Sequence, residues 1–138
     1  MGKIVGFTAG AFDMFHIGHL NLIKNAKARC DYLIVGVNTD ELIHRYKNKD
    51  AVVPLNERIQ IVRALKYVDE VIAVDTLDKE VVWNNKHFDV VFIGDDWKGS
   101  DRWNETEKVM KRHGVEVVYL PYTKGTTSTL LREKIKDI

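Results

Sequence analysis

The chain has 138 residues, a single cysteine, and 21 lysines and arginines against 20 aspartates and glutamates, for a net charge of +1. That length suits one domain spanning residues 1–138, and the near-neutral balance argues against bulk attraction to nucleic acid or an anionic membrane. The lone Cys30 excludes an intrachain disulfide and suits a reducing compartment, so a cytoplasmic setting is expected.

In chain order, Lys3–Thr8 reads as a buried strand. It opens straight from Met1-Gly2, so no leader is expected. Gly10-Ala-Phe-Asp-Met-Phe-His-Ile-Gly-His19 follows, and then an amphipathic run from Leu20 to Cys30, with Leu20, Ile23, Ala26 and Cys30 on one helical face. Tyr32–Val37 is a second, nearly continuous apolar strand, as a parallel sheet covered on both faces requires. Asp40–Tyr46 reads as a short helix, Lys47–Asp50 as a loop and Asn56–Leu65 as a helix after Pro54. Glu70–Val74 and Asp89–Ile93 are strands three and four, with a weak helix, Glu80–Lys86, between them. Gly94–Gly99 breaks the fourth strand. Asn104-Glu-Thr-Glu107 resembles a capping box that opens a helix to His113, with Gly114 as its left-handed cap. Glu116–Leu120 is the fifth strand, Pro121–Thr126 a loop and Ser128–Ile138 the last helix. No run approaches the ~20 apolar residues of a membrane span.

This alternation predicts an α/β fold, a Rossmann-like doubly wound five-stranded parallel sheet in a single domain. Ligands of such sheets bind outside the carboxyl ends of the strands. Three irregular, chemically loaded segments follow strands one, four and five: Gly10–His19, Gly94–Gly99 and Tyr122–Thr129. Their convergence predicts one active site.

The first segment joins a strand to a helix through a tight glycine turn. Backbone N–H groups and a positive helix end then point at one spot, which suits a phosphate. His16 and His19 lie three apart at the helix entry, so both can face that spot. An arbitrary H-x-x-H pair is more often a satisfied surface pair, and metal binding lacks a third ligand here. The frame of Gly10, Asp13 and Gly18 between strand and helix favours function. Neither a dinucleotide fingerprint nor a P-loop is present. The carboxylates of Gly94-Asp-Asp-Trp97 could anchor a metal or a ligand hydroxyl, or simply cap a turn covered by Trp97. The hydroxyl-rich Tyr122–Thr129 stretch could cradle a phosphate, cap the last helix, or do both.

Gly10-Ala-Phe-Asp-x-x-His-x-Gly-His19 resembles the G-x-F-D-x-x-H-x-G-H signature of the cytidylyltransferase branch of the nucleotidyltransferase superfamily. Lys66-Tyr-Val-Asp-Glu-Val71, Gly94-Asp-Asp-Trp-x-Gly99 and Val117-Val-Tyr-Leu-Pro121 are similar, in the same order, to segments of the glycerol-3-phosphate cytidylyltransferases. The resemblance implies transfer of CMP from CTP to a phosphorylated alcohol, with glycerol 3-phosphate the leading acceptor. Pyrophosphate leaves, and Mg2+ or another divalent cation assists. It also implies a homodimer and a product of the kind used in envelope or capsule polymers. Other pairs remain open, such as ATP with a phosphorylated cofactor, as does a non-catalytic nucleotide-binding module.

The resemblance implies that His16, His19 and Lys49 are catalytic. The nucleotide would be held by Gly10, Ala11, Phe12, Gly94, Asp96, Tyr122, Thr123, Gly125, Thr126, Thr127, Ser128 and Thr129, together with those three. It assigns Lys47, Arg58, Lys66 and Lys79 to the acceptor; read from the residues themselves, Asp13 or Asp96 could hold a metal, and Asp13 could instead brace its loop. Three positions depart from the pattern. Tyr122 replaces an arginine, Thr126 an isoleucine and Ala11 a threonine, which bears on the choice of nucleotide and acceptor.

Overall fold

A computed structural model describes residues 2–123 and 128–136. The strands are β1 (Val5–Gly10), β2 (Tyr32–Asn38), β3 (Glu70–Val74), β4 (Val90–Gly94) and β5 (Glu116–Leu120). The helices are α1 (Ile17–Lys27), α2 (Asp40–Lys47), α3 (Leu55–Arg63), α4 (Lys79–Asn85), α5 (Asp101–Arg112) and α6 (Ser128–Lys136). One 3-10 turn, Asp95–Trp97, follows β4.

All strand pairs are parallel, in the order β3-β2-β1-β4-β5. The chain builds outward from β1 to β3, returns to the middle and continues with β4 on the other side of β1. A crevice therefore opens between the carboxyl ends of β1 and β4, where ligands of such sheets bind.

The apolar strands alternate between two cores. Leu33, Val35 and Val37 of β2 pack with Ile23 and Ala26 of α1 and Val62 of α3 on one face. Ile34 and Phe7 pack with Val82 of α4 and Trp103 and Met110 of α5 on the other. Burying one such aliphatic or aromatic side chain contributes about 1.5–3 kcal/mol, so both helical layers are held firmly to the sheet. Gly36 lies where β2 is most crowded. A Cβ there would come within 2.6 Å of Val74 and 2.9 Å of Phe7.

Two helix starts differ from the sequence expectation by a full three residues. Helix α1 begins at Ile17 rather than Leu20, because His16 caps it. Helix α5 begins at Asp101 rather than Asn104, because the Ser100 hydroxyl accepts from Trp103 N–H and caps it first. Asn104-Glu-Thr-Glu107 therefore lies inside the helix and is no capping box. Gly114 has φ +73°, the left-handed conformation expected after α5. Cys30 is half-buried with its thiol against the Ala26 carbonyl, and burial pushes its pKa up, as suits a packing residue rather than a nucleophile. No helix among the described residues is long and apolar enough to cross a membrane.

Candidate active site

A cavity of about 460 Å³ occupies the crevice. Ala9 and Gly10 from the end of β1, Ile93 and Gly94 from the end of β4, and Pro121, Tyr122 and Thr123 after β5 all line it. The sheet thus brings together the three irregular segments, as far as they are described. Gly125, Thr126 and Thr127 lie outside the described residues, as do the side chains of Ser128 and Thr129.

The two histidines are built into the start of α1. The Nδ1 of His16 accepts from Gly18 N–H at 3.1 Å, and the Nδ1 of His19 accepts from His16 N–H at 3.2 Å. This reciprocal capping box satisfies two N–H groups that a helix start leaves without intrahelical partners. It also fixes the chemistry of the rings. A backbone N–H can only donate, so each Nδ1 is unprotonated, and a neutral ring then carries its hydrogen on Nε2. The rings stack with centroids 3.9 Å apart, and Phe12 and Phe15 pack on His19 at 5.4 and 5.3 Å. His16 and His19 both line the cavity. The site therefore holds two adjacent Nε2–H donors on rigid rings.

Burial keeps them neutral. It lowers the His16 pKa, and together with His16 and Lys47 it lowers that of His19 to about 3, against a smaller opposing pull from Asp13. The folded protein thus favours uncharged His19, whereas the unfolded chain protonates it near pH 6.5. Its contribution to stability is complete above pH 6.5 and is lost as pH falls toward 3. Between pH 7 and pH 5 the loss is about 1–2 kcal/mol, or roughly 5 °C in Tm. Thermal melts across that range should show this drop. It should be smaller in His19→Gln, whose amide can accept the same N–H without titrating.

The loop that carries the histidines is braced on its far side. Phe12 and Met14 take left-handed φ values of 51° and 50°. Asp13, 5% exposed, accepts from the N–H groups of Val52 and Val53 at 2.8 and 2.9 Å and from Arg132 Nη2 at 2.7 Å. Burial alone would raise its pKa, but these bonds outweigh it and hold the carboxyl below its ordinary value. Asp13 therefore braces the loop in this structure, and its carboxylate is already committed to N–H donors. Asp96 is exposed on the cavity wall. Among the described residues no group of three or more histidine, cysteine or acidic side chains is arranged to hold a metal ion.

Of the basic residues expected at the site, Lys47 and Lys49 line the cavity on either side of Asn48, the left-handed cap of α2. Arg58, Lys66 and Lys79 do not line it. Arg58 is 1% exposed, and its guanidinium is spent on the fold. Nε donates to the Val53 carbonyl, Nη1 to the carbonyls of Ala11 and Asn38, and Nη2 to Asp40. In this structure Arg58 ties together the loops that shape the cavity and does not itself line it. Lys66 is exposed beside the Tyr67 ring. Lys79 is buried over the Trp103 ring, away from the cavity, and burial followed by Arg102 lowers its pKa to about 8. In this structure neither reaches the cavity.

Sequence reasoning missed Arg132, Trp97 and the clasps that hold the upper loop. Asn21 donates to the Thr123 hydroxyl at 3.0 Å, and Tyr122 N–H donates to Asp95 at 3.1 Å. Arg132 lines the cavity from α6. The available signal was its i,i+4 relation to Ser128, which puts it on the face that begins the helix. Read alone, an arginine in a terminal helix suggests a solvated face.

The fold agrees with comparisons to known proteins. A glycerol-3-phosphate cytidylyltransferase of Bacillus subtilis (strain 168) is 36% identical over 141 residues, covering 100% of both chains. An FAD synthase of Thermococcus onnurineus (strain NA1) is 36% identical over 124 residues, covering 87% of this chain and 81% of its own. The solved lipopolysaccharide core biosynthesis protein of Thermoplasma volcanium GSS1 superposes with TM-score 0.73 at 25% identity, over 91% of this chain and 100% of that one. The family model described as cytidylyltransferase-like matches residues 7–134. A match of that extent includes the paired histidines, most of β1 and the other four strands, and the chain belongs to the cytidylyltransferase-like family.

Proposed function

We propose that this protein transfers CMP from CTP to a phosphorylated alcohol, with glycerol 3-phosphate as the acceptor, and releases pyrophosphate. The observation that carries the proposal is the pair of neutral Nε2–H donors fixed at the crevice by mutual capping, facing a cavity that also holds Lys47 and Lys49. The full-length likeness to a glycerol-3-phosphate cytidylyltransferase supports the choice of both substrates.

The chemistry follows from the acceptor. A phosphate monoester is already a competent nucleophile, so the protein needs neither a nucleophilic side chain nor a strong general base. What remains is alignment, which can supply about 7–11 kcal/mol, and stabilisation of the charge that develops on the α-phosphate and the departing pyrophosphate. His16 and His19 donate Nε2–H to those oxygens. Neutral rings do so without first giving up a stabilising charge, and their stacking and capping leave little to reorganise. Lys47 and Lys49, at the rim, oppose the charge of the two phosphorylated substrates.

Magnesium is part of the proposal. Mg2+ is usually held by one or two carboxylates plus substrate phosphates, and the exposed Asp96 on the wall fits that role better than the committed Asp13. When bound, the ion would neutralise phosphate charge and help to orient the leaving group. A cytoplasmic homodimer making a polymer precursor completes the proposal.

Pyrophosphate release measured with Mg2+, crossing CTP and ATP against glycerol 3-phosphate, phosphoethanolamine and FMN, tests it. Release with CTP and glycerol 3-phosphate is expected. Turnover with ATP and FMN alone would transfer the site to the reading suggested by the FAD synthase likeness, and nucleotide binding with no turnover on any pair would reduce it to a binding module.

A further inference from the structure

We infer that the indole of Trp97 is a stacking face for the nucleobase, and that Arg102, which lies outside the cavity, is the positioning residue that holds it there. This rests on the nucleotide reading above. His16 and His19 at the start of α1, with Lys47 and Lys49 at and just past the end of α2, mark the phosphate end of the cavity. The wall built from the end of β4 and the loop after β5 carries Trp97 and Tyr122, and no cation among the described residues. A planar, weakly polar group belongs against such a wall, and the one that a nucleotide brings is its base.

Trp97 is 41% exposed and belongs to neither core, yet it is fixed from two sides. Its carbonyl accepts from the Ser100 hydroxyl at 2.8 Å and from Ser100 N–H at 3.2 Å. The Arg102 guanidinium stacks on its ring, 4.6 Å from the centroid. Trp97 lines the cavity and Arg102 does not, so the guanidinium covers the side of the ring turned away from it. Among the described residues that guanidinium has no hydrogen-bond or ion-pair partner. Besides Trp97 it meets the ring of Trp103, 5.9 Å away and buried in the core under α5. Arg102 thus ties an exposed indole to a buried one. A cation on one face of an indole leaves the other face for a second planar group, and a ring already held in place loses little freedom when that group arrives.

Isothermal titration with CTP and with inorganic tripolyphosphate, alongside steady-state kinetics, separates a base contact from a phosphate contact. Trp97→Ala should weaken CTP binding about 5- to 150-fold and raise the KM for CTP, with tripolyphosphate affinity and the acceptor KM unchanged. Trp97→Phe keeps a ring and should bind CTP more tightly than Trp97→Leu, which keeps only apolar bulk. That pair also serves if Trp97→Ala fails to fold. Arg102→Ala should weaken CTP binding about 2- to 5-fold, again without changing tripolyphosphate affinity. Arg102→Lys should recover part of that loss, because it keeps a cation for the indole. A merely structural role would move both ligands together. CTP affinity unchanged in Trp97→Ala, an equal loss for CTP and tripolyphosphate, or a Trp97→Phe no tighter than Trp97→Leu would overturn the inference while leaving the transfer reaction standing. A base-dependent loss in a protein that turns over neither CTP nor ATP would sustain the stacking face while removing the catalytic reading.

Discussion

His19→Ala lowers kcat by about 10²- to 10³-fold and leaves the protein folded. Loss of one preformed donor at a developing phosphate charge has about that effect. The fold survives because the ring lies at the cavity edge of one core, against Phe12 and Phe15, and its hydrogen bond is to the start of a single helix. The substitution removes one half of the capping box, the acceptor for His16 N–H, at a cost of about 1 kcal/mol. His16→Ala behaves in the same way through the Gly18 N–H. The KM for CTP should rise much less than kcat falls, since the donors act most strongly where charge develops. Turnover within a few-fold of wild type, or unfolding at 25 °C, would remove the histidines from the mechanism.

Arg58→Ala has the opposite signature. It destabilises the protein by about 2–4 kcal/mol, the cost of leaving carbonyls at the centre of the loops without their donor, and it abolishes activity only to the extent that it unfolds the chain. The guanidinium is 1% exposed and holds the carbonyls of Ala11, Asn38 and Val53 together with the Asp40 carboxylate. Alanine would leave those three carbonyls without this donor. Arg58→Lys cannot reproduce a fork that reaches four acceptors, so it should recover little of the loss. Urea titration reads the effect directly. A midpoint close to wild type with a raised acceptor KM would restore Arg58 to the substrate contact expected from its sequence position.

The contrast between these two residues shows what the sequence carries. Strand-and-helix alternation is written in continuous apolar runs such as Tyr32–Val37, and five such runs specified a parallel doubly wound sheet. The His16/His19 pair was legible because a three-residue spacing at a helix entry puts both rings on one face. That both rings cap the start of α1 was not legible, because the acceptor is a ring nitrogen rather than a serine or aspartate. The burial of Arg58 and Lys79 was not legible, for a common reason. A basic residue at the start of a helix gives no local sign of whether it faces solvent, ligand or core. Burial over Trp103 and hydrogen bonds to carbonyls of distant loops are tertiary facts. Arg132 was invisible for the converse reason, because the cavity reaches it only when α6 folds back over the loop braced by Asp13. The capping box proposed at Asn104 lost to Ser100, four residues earlier, where an equally ordinary serine meets the first free N–H groups.

The reaction itself is tested most directly by phosphorus NMR of a mixture of protein, Mg2+, CTP and glycerol 3-phosphate carrying oxygen-18 in its phosphate. If the acceptor phosphate attacks the α-phosphorus of CTP within this crevice, the label appears in the bridge of a CDP-alcohol and the pyrophosphate released is unlabelled. CMP formed by water, label entering pyrophosphate, or an unchanged spectrum would contradict the transfer proposed for this site.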